Sequence, residues 1–582
     1  MNSLLRGGTA TIVLVLMSLV MLAACSSGGD DDATGATSPS TSAATAVPTA
    51  VPAPAAKPTV ERLVISDAIP SVESNNPWKL ENPRTPYYMR PMYESLIGVD
   101  ALTGEFVPQL ATEFSVEPDG TSLRFILRKG VRFHGDNGEF TAADVVATHA
   151  NSSAEDSVHT HRTQYRKVTV EVVNDYEIVF RTDTPNPELI PNISERNTIS
   201  MEPYSAKDMA FLGGNPDLTS RLPAGTGFYE YDDRFQGQFF RMKRVSYEHW
   251  ENQGQFEEIE MRFVSEASTR LAGLLTAEIH MGQLPRDQQQ QAVAEGLKVA
   301  RAKILARERT LLFGGMQLDK KYANYKAQGT ACGYAHCDSV FLDVKVRRAL
   351  SKAINRASLN NAFFDGEGIE VHNIHMIPTA SYWNPAWDQN FQDQYGYDPA
   401  AARALLAEAG YSTSNPLEFK IDGTAVGGFP EAGDFAETFV GFWQEIGVKA
   451  TLDLTDSTTS RAWGRSFDVN LNNRMAGWMT SNIVETQAFR VHNWAGSAPR
   501  GGPEFPELEV AILAQRNTVD PVKALDGLRQ VGDVIFPLHI GIPIFWIPDD
   551  IVYNPNVVAS YEWSGVPLGT YSSFQQIKAV LK

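Results

Sequence analysis

The stretch 417–454 constrains the fold more than any other, because its apolar residues change periodicity twice. Alternate residues are apolar in two short runs, namely Leu417, Phe419, Ile421 and Val448, Ala450, Leu452, Leu454. Between the runs, helical spacing links Phe435, Phe439, Phe442, Trp443 and Ile446. A strand–helix–strand crossover of this kind builds a parallel pair in an α/β sheet. Because ligands of such sheets lie beyond the carboxyl ends of the strands, Asp422 and Thr424 are candidates for a cleft wall; a solvent loop is the alternative.

Residues 59–582 are too many for one hydrophobic core and predict two or more domains. The chain is 43% hydrophobic, which is enough to fill them. Capping residues predict three helices, which begin after Thr141, Asp343 and Asp398; the second is expected to run through Ala357 as one helix, with Gly366 beyond it, and the third to end at Gly410. A β-hairpin is expected over 121–136, where two alternating apolar runs flank a turn at 128–130.

The first 24 residues have the form of an export signal. Arg6 is their only charge, and it precedes an apolar run over 10–22 that is too short to span a bilayer. The run ends in Leu22-Ala-Ala-Cys25, which resembles the bacterial lipobox, whose cysteine receives a lipid. Lipidation at Cys25 would keep the protein in the cell envelope, on the outer face of the cytoplasmic membrane or in the periplasm. An ordinary cleaved signal with a chance cysteine is the alternative.

Residues 25–58 are predicted to be a disordered tether, because they consist mainly of small and polar residues with little apolar surface to bury. The formal net charge of the whole chain is −19 and becomes −20 when Arg6 leaves with the signal. An acidic balance of this size argues against a nucleic-acid partner, which would require a basic surface.

The two remaining cysteines, Cys332 and Cys337, lie in one turn-rich stretch. In an oxidising compartment a local disulfide is the favoured interpretation. A metal site that uses both cysteines and His336 is the alternative, although no fourth ligand is visible. The histidine pairs His159/His161 and His372/His375 also have spacings that a metal can use, but surface loops are the expectation for both.

Enzyme signatures are scarce in this sequence. It lacks a Gly-x-Ser-x-Gly elbow, a Walker-type phosphate loop, a His-Glu-x-x-His motif and a dinucleotide-binding glycine fingerprint. Carboxylate pairs leave no local signature, so an exported enzyme stays an alternative. No catalytic residue, metal or cofactor is predicted.

Five ordered blocks carry a family resemblance. They are Tyr93–Val145 with its Asp-Gly-Thr-Ser-Leu-Arg-Phe core at 119–125, Leu222–Tyr229, Ala267–Leu275, Val344–Arg356 and Tyr397–Tyr411. Together they resemble the family 5 extracellular solute-binding proteins, the group of oligopeptide-, dipeptide- and nickel-binding receptors. Most of the motif residues, including Gly225-Thr-Gly227, are interpreted as structural, the glycines as a tight turn.

The resemblance implies a two-lobed α/β fold of the periplasmic-binding-protein type (type II, cluster C). Lobe I would comprise 59–92, 222–306 and 545–582, with 93–221 as an inserted subdomain, and lobe II would comprise 307–544. Strands near 306 and 545 would form the hinge. The implied function is capture of a small solute between the lobes and delivery to an ABC permease, by a monomer without enzymatic activity. A receptor for a metal or metal chelate of the nickel type is the alternative.

One departure from the family pattern bears on the ligand. Peptide-binding members commonly follow a cleft tryptophan with an aspartate that pairs with the peptide ammonium group. Here Trp478-Met479 is followed by Asn482 and by no aspartate, so the preferred solute is expected to be neutral, blocked or non-peptidic. Plain core packing of Trp478, with Asp422 as the ammonium partner, is the alternative. The candidate ligand contacts are Trp478, Met479, Asn482, Asp422, Thr424 and Asn76.

Overall fold

The computed structural model describes residues 57–69, 73–75, 85–157, 159, 161–186, 189–196, 201–211, 221–305, 307–319, 330–422, 431–453, 475–481, 503–516, 521–566 and 570–582. Its strands are β1 (Arg62–Asp67), β2 (Ile97–Val99), β3 (Phe106–Pro108), β4 (Ala111–Val116), β5 (Ser122–Leu127), β6 (Val168–Asn174), β7 (Glu177–Thr182), β8 (Tyr229–Phe235), β9 (Phe239–Arg244), β10 (Glu258–Phe263), β11 (Met281–Gly282), β12 (Lys298–Arg301), β13 (Arg307–Phe313), β14 (Ile369–Glu370), β15 (Glu418–Asp422), β16 (Lys449–Asp453), β17 (Met475–Ser481), β18 (Gly541–Ile547), β19 (Asp550–Tyr553), β20 (Val558–Ser560) and β21 (Lys578–Ala579).

The α-helices are α1 (Ala142–Ser153), α2 (Arg162–Tyr165), α3 (Leu189–Ile193), α4 (Ala206–Phe211), α5 (Ala267–Leu275), α6 (Arg286–Ala294), α7 (Val344–Lys352), α8 (Arg356–Phe364), α9 (Pro385–Gln394), α10 (Pro399–Glu408), α11 (Ala432–Glu445), α12 (Pro506–Arg516) and α13 (Pro521–Leu538). Short 3-10 helices occupy Thr85–Met92, Val340–Leu342 and Phe574–Gln576. Among the residues that the structure describes, no helix is both long enough and apolar enough to cross a membrane.

A seven-stranded mixed sheet organises lobe I. Its order is β12-β19-β11-β1-β10-β9-β8, and β1 runs parallel to both of its neighbours, β10 and β11. The strands come from three separate stretches of the chain. Their buried side chains, among them Tyr88, Phe240 and Trp563, form one core cluster. The central strand therefore has parallel neighbours on both sides, and its carboxyl end is available to shape a binding edge.

The stretch predicted to be an inserted subdomain contains an antiparallel sheet of order β4-β5-β7-β6. The predicted hairpin over 121–136 is wrong in its pairing, because β5 pairs with β4 and β7 instead of with the residues after the turn. Leu123, Phe125 and Leu127 are all buried, and a strand with so apolar a face is stabilised better between two partners than at an edge. Residues 131–140 form a separate loop, which is closed by an isolated antiparallel β-bridge between the backbones of Arg132 and Glu139.

Lobe II has its own core, centred on a sheet of order β14-β18-β13-β17 and on the parallel pair β15/β16. The predicted crossover is confirmed: β15 and β16 pair in parallel, and α11 connects them. Phe435, Phe439 and Trp443 are fully buried on one face of α11, as the helical spacing indicates. The same face also packs against distant segments, since Phe435 contacts Phe364 and the Trp443 indole N–H donates to the Leu350 carbonyl.

The predicted starts and ends of the helices are largely confirmed, with one correction. The Asp398 side chain accepts a 2.9 Å hydrogen bond from the Ala401 N–H at the start of α10. The helix expected from Asp343 through Ala357 is instead two helices, α7 and α8. The interruption arises because the Asn355 side chain accepts from the Ser358 N–H and caps a new helix.

The glycines of Gly225-Thr-Gly227 permit two backbones to approach closely. A Cβ atom on Gly225 would lie 2.1 Å from the carbonyl oxygen of Met92, and one on Gly227 would lie 2.2 Å from that of Pro91. A side chain at either position would collide with the segment that leads into the subdomain. The correction to the predicted tight turn is that these glycines serve packing between segments.

Candidate ligand-binding cleft

The binding edge of lobe I lies at the carboxyl end of β1. Asp67, the last residue of that strand, is 6% exposed and accepts a 2.7 Å hydrogen bond from the Ala68 N–H. Burial raises the pKa of Asp67 to about 6, against the opposing influence of that bond and of Arg270. The Arg270 guanidinium donates to the carbonyls of Gln283 and Val264, next to the ends of β11 and β10. This edge thus carries a buried carboxyl group next to strand ends that are linked by hydrogen bonds from Arg270.

The corresponding edge of lobe II lies at the ends of β15 and β16, where Asp422 is in register with Asp453. Strand β17 contacts β15 and pairs with β13. The β13/β17 register sets Trp478 opposite Leu311 and Met479 opposite Thr310. Two segments that the sequence analysis assigned to the cleft therefore lie on neighbouring strands.

The two edges meet at Glu431 and Arg286. Glu431 lies immediately before α11, beyond the carboxyl end of β15, and Arg286 begins α6, beyond the end of β11. The Glu431 carboxylate lies close enough to Arg286 for that arginine to oppose the rise in its pKa. Burial raises the pKa of Glu431 to about 7, although its own backbone N–H and the nearby Arg309 oppose the rise. The residues that follow the carboxyl ends of β15 and β11 therefore lie close together.

Strands β13 and β18 pair at the place where the resemblance predicts the hinge. They are antiparallel, and a bulge interrupts their register between Arg309 and Thr310. The Ala302 N–H donates to the Asp549 carbonyl at 2.8 Å, where both chain segments pass between the lobes. The Asp549 carboxylate accepts from Arg307 Nε and lies 3.6 Å from Arg309 Nη2, with all three side chains buried. Burial lowers the pKa of Arg309 to about 10.

The histidine pairs do not lie as predicted. His159 and His161 are 3% and 1% exposed, so the expectation of a surface loop was wrong for this pair; their rings pack beside Tyr165. His375 is buried, with Nδ1 3.3 Å from Glu308 Oε2, whereas the partly exposed His372 pairs with Asp388. Within the described ranges, no three His, Cys, Asp or Glu side chains are grouped as a metal would require.

Cys332 and Cys337 are joined by a disulfide, with their Cα atoms 5.7 Å apart. Each sulfur is bonded to the other, so the structure does not present the pair together with His336 as metal ligands. The bridge closes a short loop at the surface of lobe II.

The predicted ligand contacts divide between described and undescribed parts of the chain. Asp422, Trp478 and Met479 lie on β15 and β17, whereas Asn76, Thr424 and Asn482 lie outside the described residues, as does Cys25. Sequence reasoning missed three residues of the facing edges, namely Asp67, Glu431 and Arg286. Asp67 was detectable, because it is the charged residue that follows the apolar run Leu63-Val-Ile65 after Ser66. Glu431 and Arg286 had no local signal, because they come together only in the folded chain.

Known proteins resemble this chain over most of its length. The family model described as bacterial extracellular solute-binding proteins, family 5 Middle, matches residues 105–495. The dipeptide-binding protein of Escherichia coli K12 is 25% identical over 506 residues, which are 80% of this chain and 85% of that protein.

Two solved structures share the fold. The oligopeptide-binding protein AppA from Bacillus subtilis, in complex with a nonapeptide, superposes with a TM-score of 0.72 at 16% identity, over 90% of this chain and 100% of that one. NikZ from Campylobacter jejuni, in complex with Ni(L-His), superposes with a TM-score of 0.67 at 18% identity, over 85% and 94% of the two chains. These likenesses confirm the two-lobed α/β binding-protein fold.

The chain belongs to the bacterial extracellular solute-binding proteins of family 5. It is therefore a solute-binding protein of the type that serves ABC transporters, and its place of action is the periplasm or cell envelope.

Proposed function

We propose that this protein is a lipid-anchored receptor that captures a small solute between its two lobes and delivers it to the permease of an ABC importer. The observation that carries the proposal is the meeting of two carboxyl edges across the lobe boundary, beside paired hinge strands. A solute that contacts both edges stabilises the closed form by its differential affinity for it. Family membership supports the role in transport.

The proposed lobes have the boundaries predicted from the sequence: 59–92, 222–306 and 545–582 for lobe I, 93–221 for its subdomain and 307–544 for lobe II. Three hydrophobic clusters support this division approximately. Exceptions lie near the boundaries: residues 545–547, for example, pack in the lobe II cluster, Tyr204 and Met209 in the lobe I cluster, and Ala224 in the cluster of the subdomain. Anchoring at Cys25 and the tether 25–58 would let the body reach a membrane partner while it stays in water. The protein acts as a monomer, without a cofactor and without turnover of its solute.

The proposed solute is a peptide or a peptide-like compound. A relative named a dipeptide-binding protein and a structural neighbour named an oligopeptide-binding protein support this class. The absence of an aspartate after Trp478 favours a neutral, blocked or non-peptidic member of the class, with Trp478, Met479, Asn482, Asp422, Thr424 and Asn76 as contacts. A charged ammonium group without a carboxylate partner would be costly to bury.

A metal-chelate receptor is the second candidate, because a neighbour in fold binds Ni(L-His). In that case a chelate would co-purify with the protein, and its affinity would fall as ligating histidines protonate near about pH 6. Chelate binding that is unchanged between about pH 5 and about pH 8 would contradict a histidine-ligated form of this candidate.

Native mass spectrometry of the protein purified from its own cell envelope would identify a retained solute. Calorimetry with a mixed library of short peptides, free and N-acetylated, then tests the preference. We expect acetylated or neutral peptides to bind more tightly than free ones, and Trp478→Ala to weaken binding at least ten-fold. Trp383→Ala is the matched control, because Trp383 donates to Asp388 at another place on lobe II. Tight binding that disappears on N-acetylation and falls with Asp422→Asn would establish the alternative, with Asp422 as the ammonium partner.

A further inference from the structure

Two arginines of lobe I share one buried aspartate beside the hinge. Arg286 Nη2 lies 3.0 Å from Asp550 Oδ2, and Arg301 Nε lies 3.0 Å from Asp550 Oδ1. Arg301 and Asp550 are also cross-strand partners in the β12/β19 ladder. The Asp550 side chain is 3% exposed. Lobe I therefore sets both guanidinium groups beside one carboxylate, to which Arg301 donates hydrogen bonds, and it supplies a single negative charge for two positive charges.

The second carboxylate comes from lobe II. Glu367 Oε2 lies 2.7 Å from Arg286 Nη1 and 3.0 Å from Arg301 Nη2. Its neighbour Asp365 accepts a 3.0 Å hydrogen bond from Gln290 Nε2, further along α6.

The turn that presents these two side chains follows α8 and leads directly into β14. Asp365 and Gly366 both have left-handed backbone conformations, with φ of 52° and 79°. The tight turn sets Asp365 and Glu367 on the same side, toward α6. Burial alone would raise the pKa of Glu367, but hydrogen bonds from Arg301 and Arg286 outweigh it and lower the pKa.

We propose that Arg286, Arg301 and Glu367 form a reversible latch between the lobes, supported by the Gln290–Asp365 hydrogen bond. The proposal rests on the lobe motion of the proposed function and adds to it a ligand-independent contact that favours the closed arrangement. Reversibility follows from the charge arrangement. When the lobes separate, both arginines keep Asp550, and Glu367, whose side chain is already 41% exposed, regains water.

The latch predicts that closure depends on salt. Two partly exposed ion pairs shift an open–closed equilibrium by about five-fold at low ionic strength. The Debye length falls from about 30 Å at 0.01 M salt to about 3 Å at 1 M, so the shift should nearly vanish at the higher concentration. A solute of given chemistry would then be held more tightly in dilute surroundings than in salty ones.

Hydrogen–deuterium exchange on the full-length, solute-free protein tests the latch directly. The reporter is the Arg286 backbone amide, at the start of α6, which lies close to Glu431 of lobe II. We expect Glu367→Gln to speed its exchange about five-fold at low salt, and high salt to speed exchange in the wild type to the same level. Glu408→Gln is the matched control, because Glu408 pairs with Lys345 within lobe II.

Equal exchange of the Arg286 amide in wild type and Glu367→Gln at low salt, with no salt dependence in either, would overturn the latch. The salt series on the wild type needs no mutation, so the proposal stays testable if the variant folds poorly. Retention of a solute in native mass spectra is a separate readout. A receptor without a latch would retain its solute and show no salt effect on exchange, whereas a latched protein that is no receptor would show the reverse.

Discussion

Replacing Glu431 by glutamine is expected to stabilise the protein above neutral pH and to leave its stability unchanged in acid. Burial raises the pKa of Glu431 from 4.5 to about 7, so the folded protein holds a proton there that the unfolded chain has already released. Between these two values the unfolded state binds fewer protons, and stability therefore falls as the pH rises. Glutamine stays neutral at every pH, so the variant should not lose stability in this way as the pH rises.

The size of the effect follows from the pKa. One pKa unit corresponds to about 1.4 kcal/mol, so a rise from 4.5 to about 7 corresponds to roughly 3 kcal/mol once the pH exceeds both values. Because Glu431 is only 8% exposed, solvent screening reduces this free-energy difference only slightly. We expect the variant to unfold with up to roughly 3 kcal/mol more free energy at about pH 8, and with the wild-type value at about pH 4.

Urea unfolding followed by tryptophan fluorescence at the two pH values measures this difference. Glu418→Gln is the control, because Glu418 is exposed and pairs with Lys449 at the surface of the same lobe. A Glu431→Gln variant that is less stable than wild type at about pH 8 would show that the ionised carboxylate is net stabilising. The same gain at both pH values would refute the protonation argument.

Three further outcomes are expected. Cys25→Ser should release the protein from the membrane fraction or leave its signal uncleaved, and unchanged migration of a membrane-bound variant would contradict lipidation. Removing the Cys332–Cys337 disulfide with a double alanine variant should lower the free energy of unfolding by about 2 kcal/mol, since the closed loop is short. Two reactive thiols in the oxidised, denatured wild type would show that no disulfide forms. Asp549→Asn should lower the free energy of unfolding by about 3 kcal/mol, because two buried hinge arginines lose a shared carboxylate. The control Asp233→Asn, on an exposed side chain, should change it by under about 0.5 kcal/mol. Equal effects of the two substitutions would mean that the hinge ion pairs add no stability.

Local elements were predictable where local patterns decide them. The β15–α11–β16 crossover followed from periodicity, and α10 followed from Asp398 and Gly410. The predicted hairpin at 121–136 failed because the partners of β5 lie on strands that the local pattern does not include. Adjacent runs can pair, but a central strand takes whichever partners bury it on both sides.

The candidate site shows the same division. The carboxyl-end rule indicated Asp422 from one crossover, and the same rule applied to β1 would have indicated Asp67. The Glu431–Arg286 contact and the latch at Glu367 join segments that are distant along the chain, and no motif marks them. Charged residues on helix and turn surfaces are common, so their types alone carry no information about partners.

The sequence by itself determined the family, the α/β class and the starts of the well-capped helices, and it predicts an export signal with a candidate lipid site. Each of these is encoded by short motifs or by periodicity within one segment. The tertiary structure alone decided which strands flank β1 and β5, which carboxyl edges face each other and which charges meet across the lobes. These are long-range pairings, and their free energy comes from burial and electrostatics that exist only after the separate cores have formed.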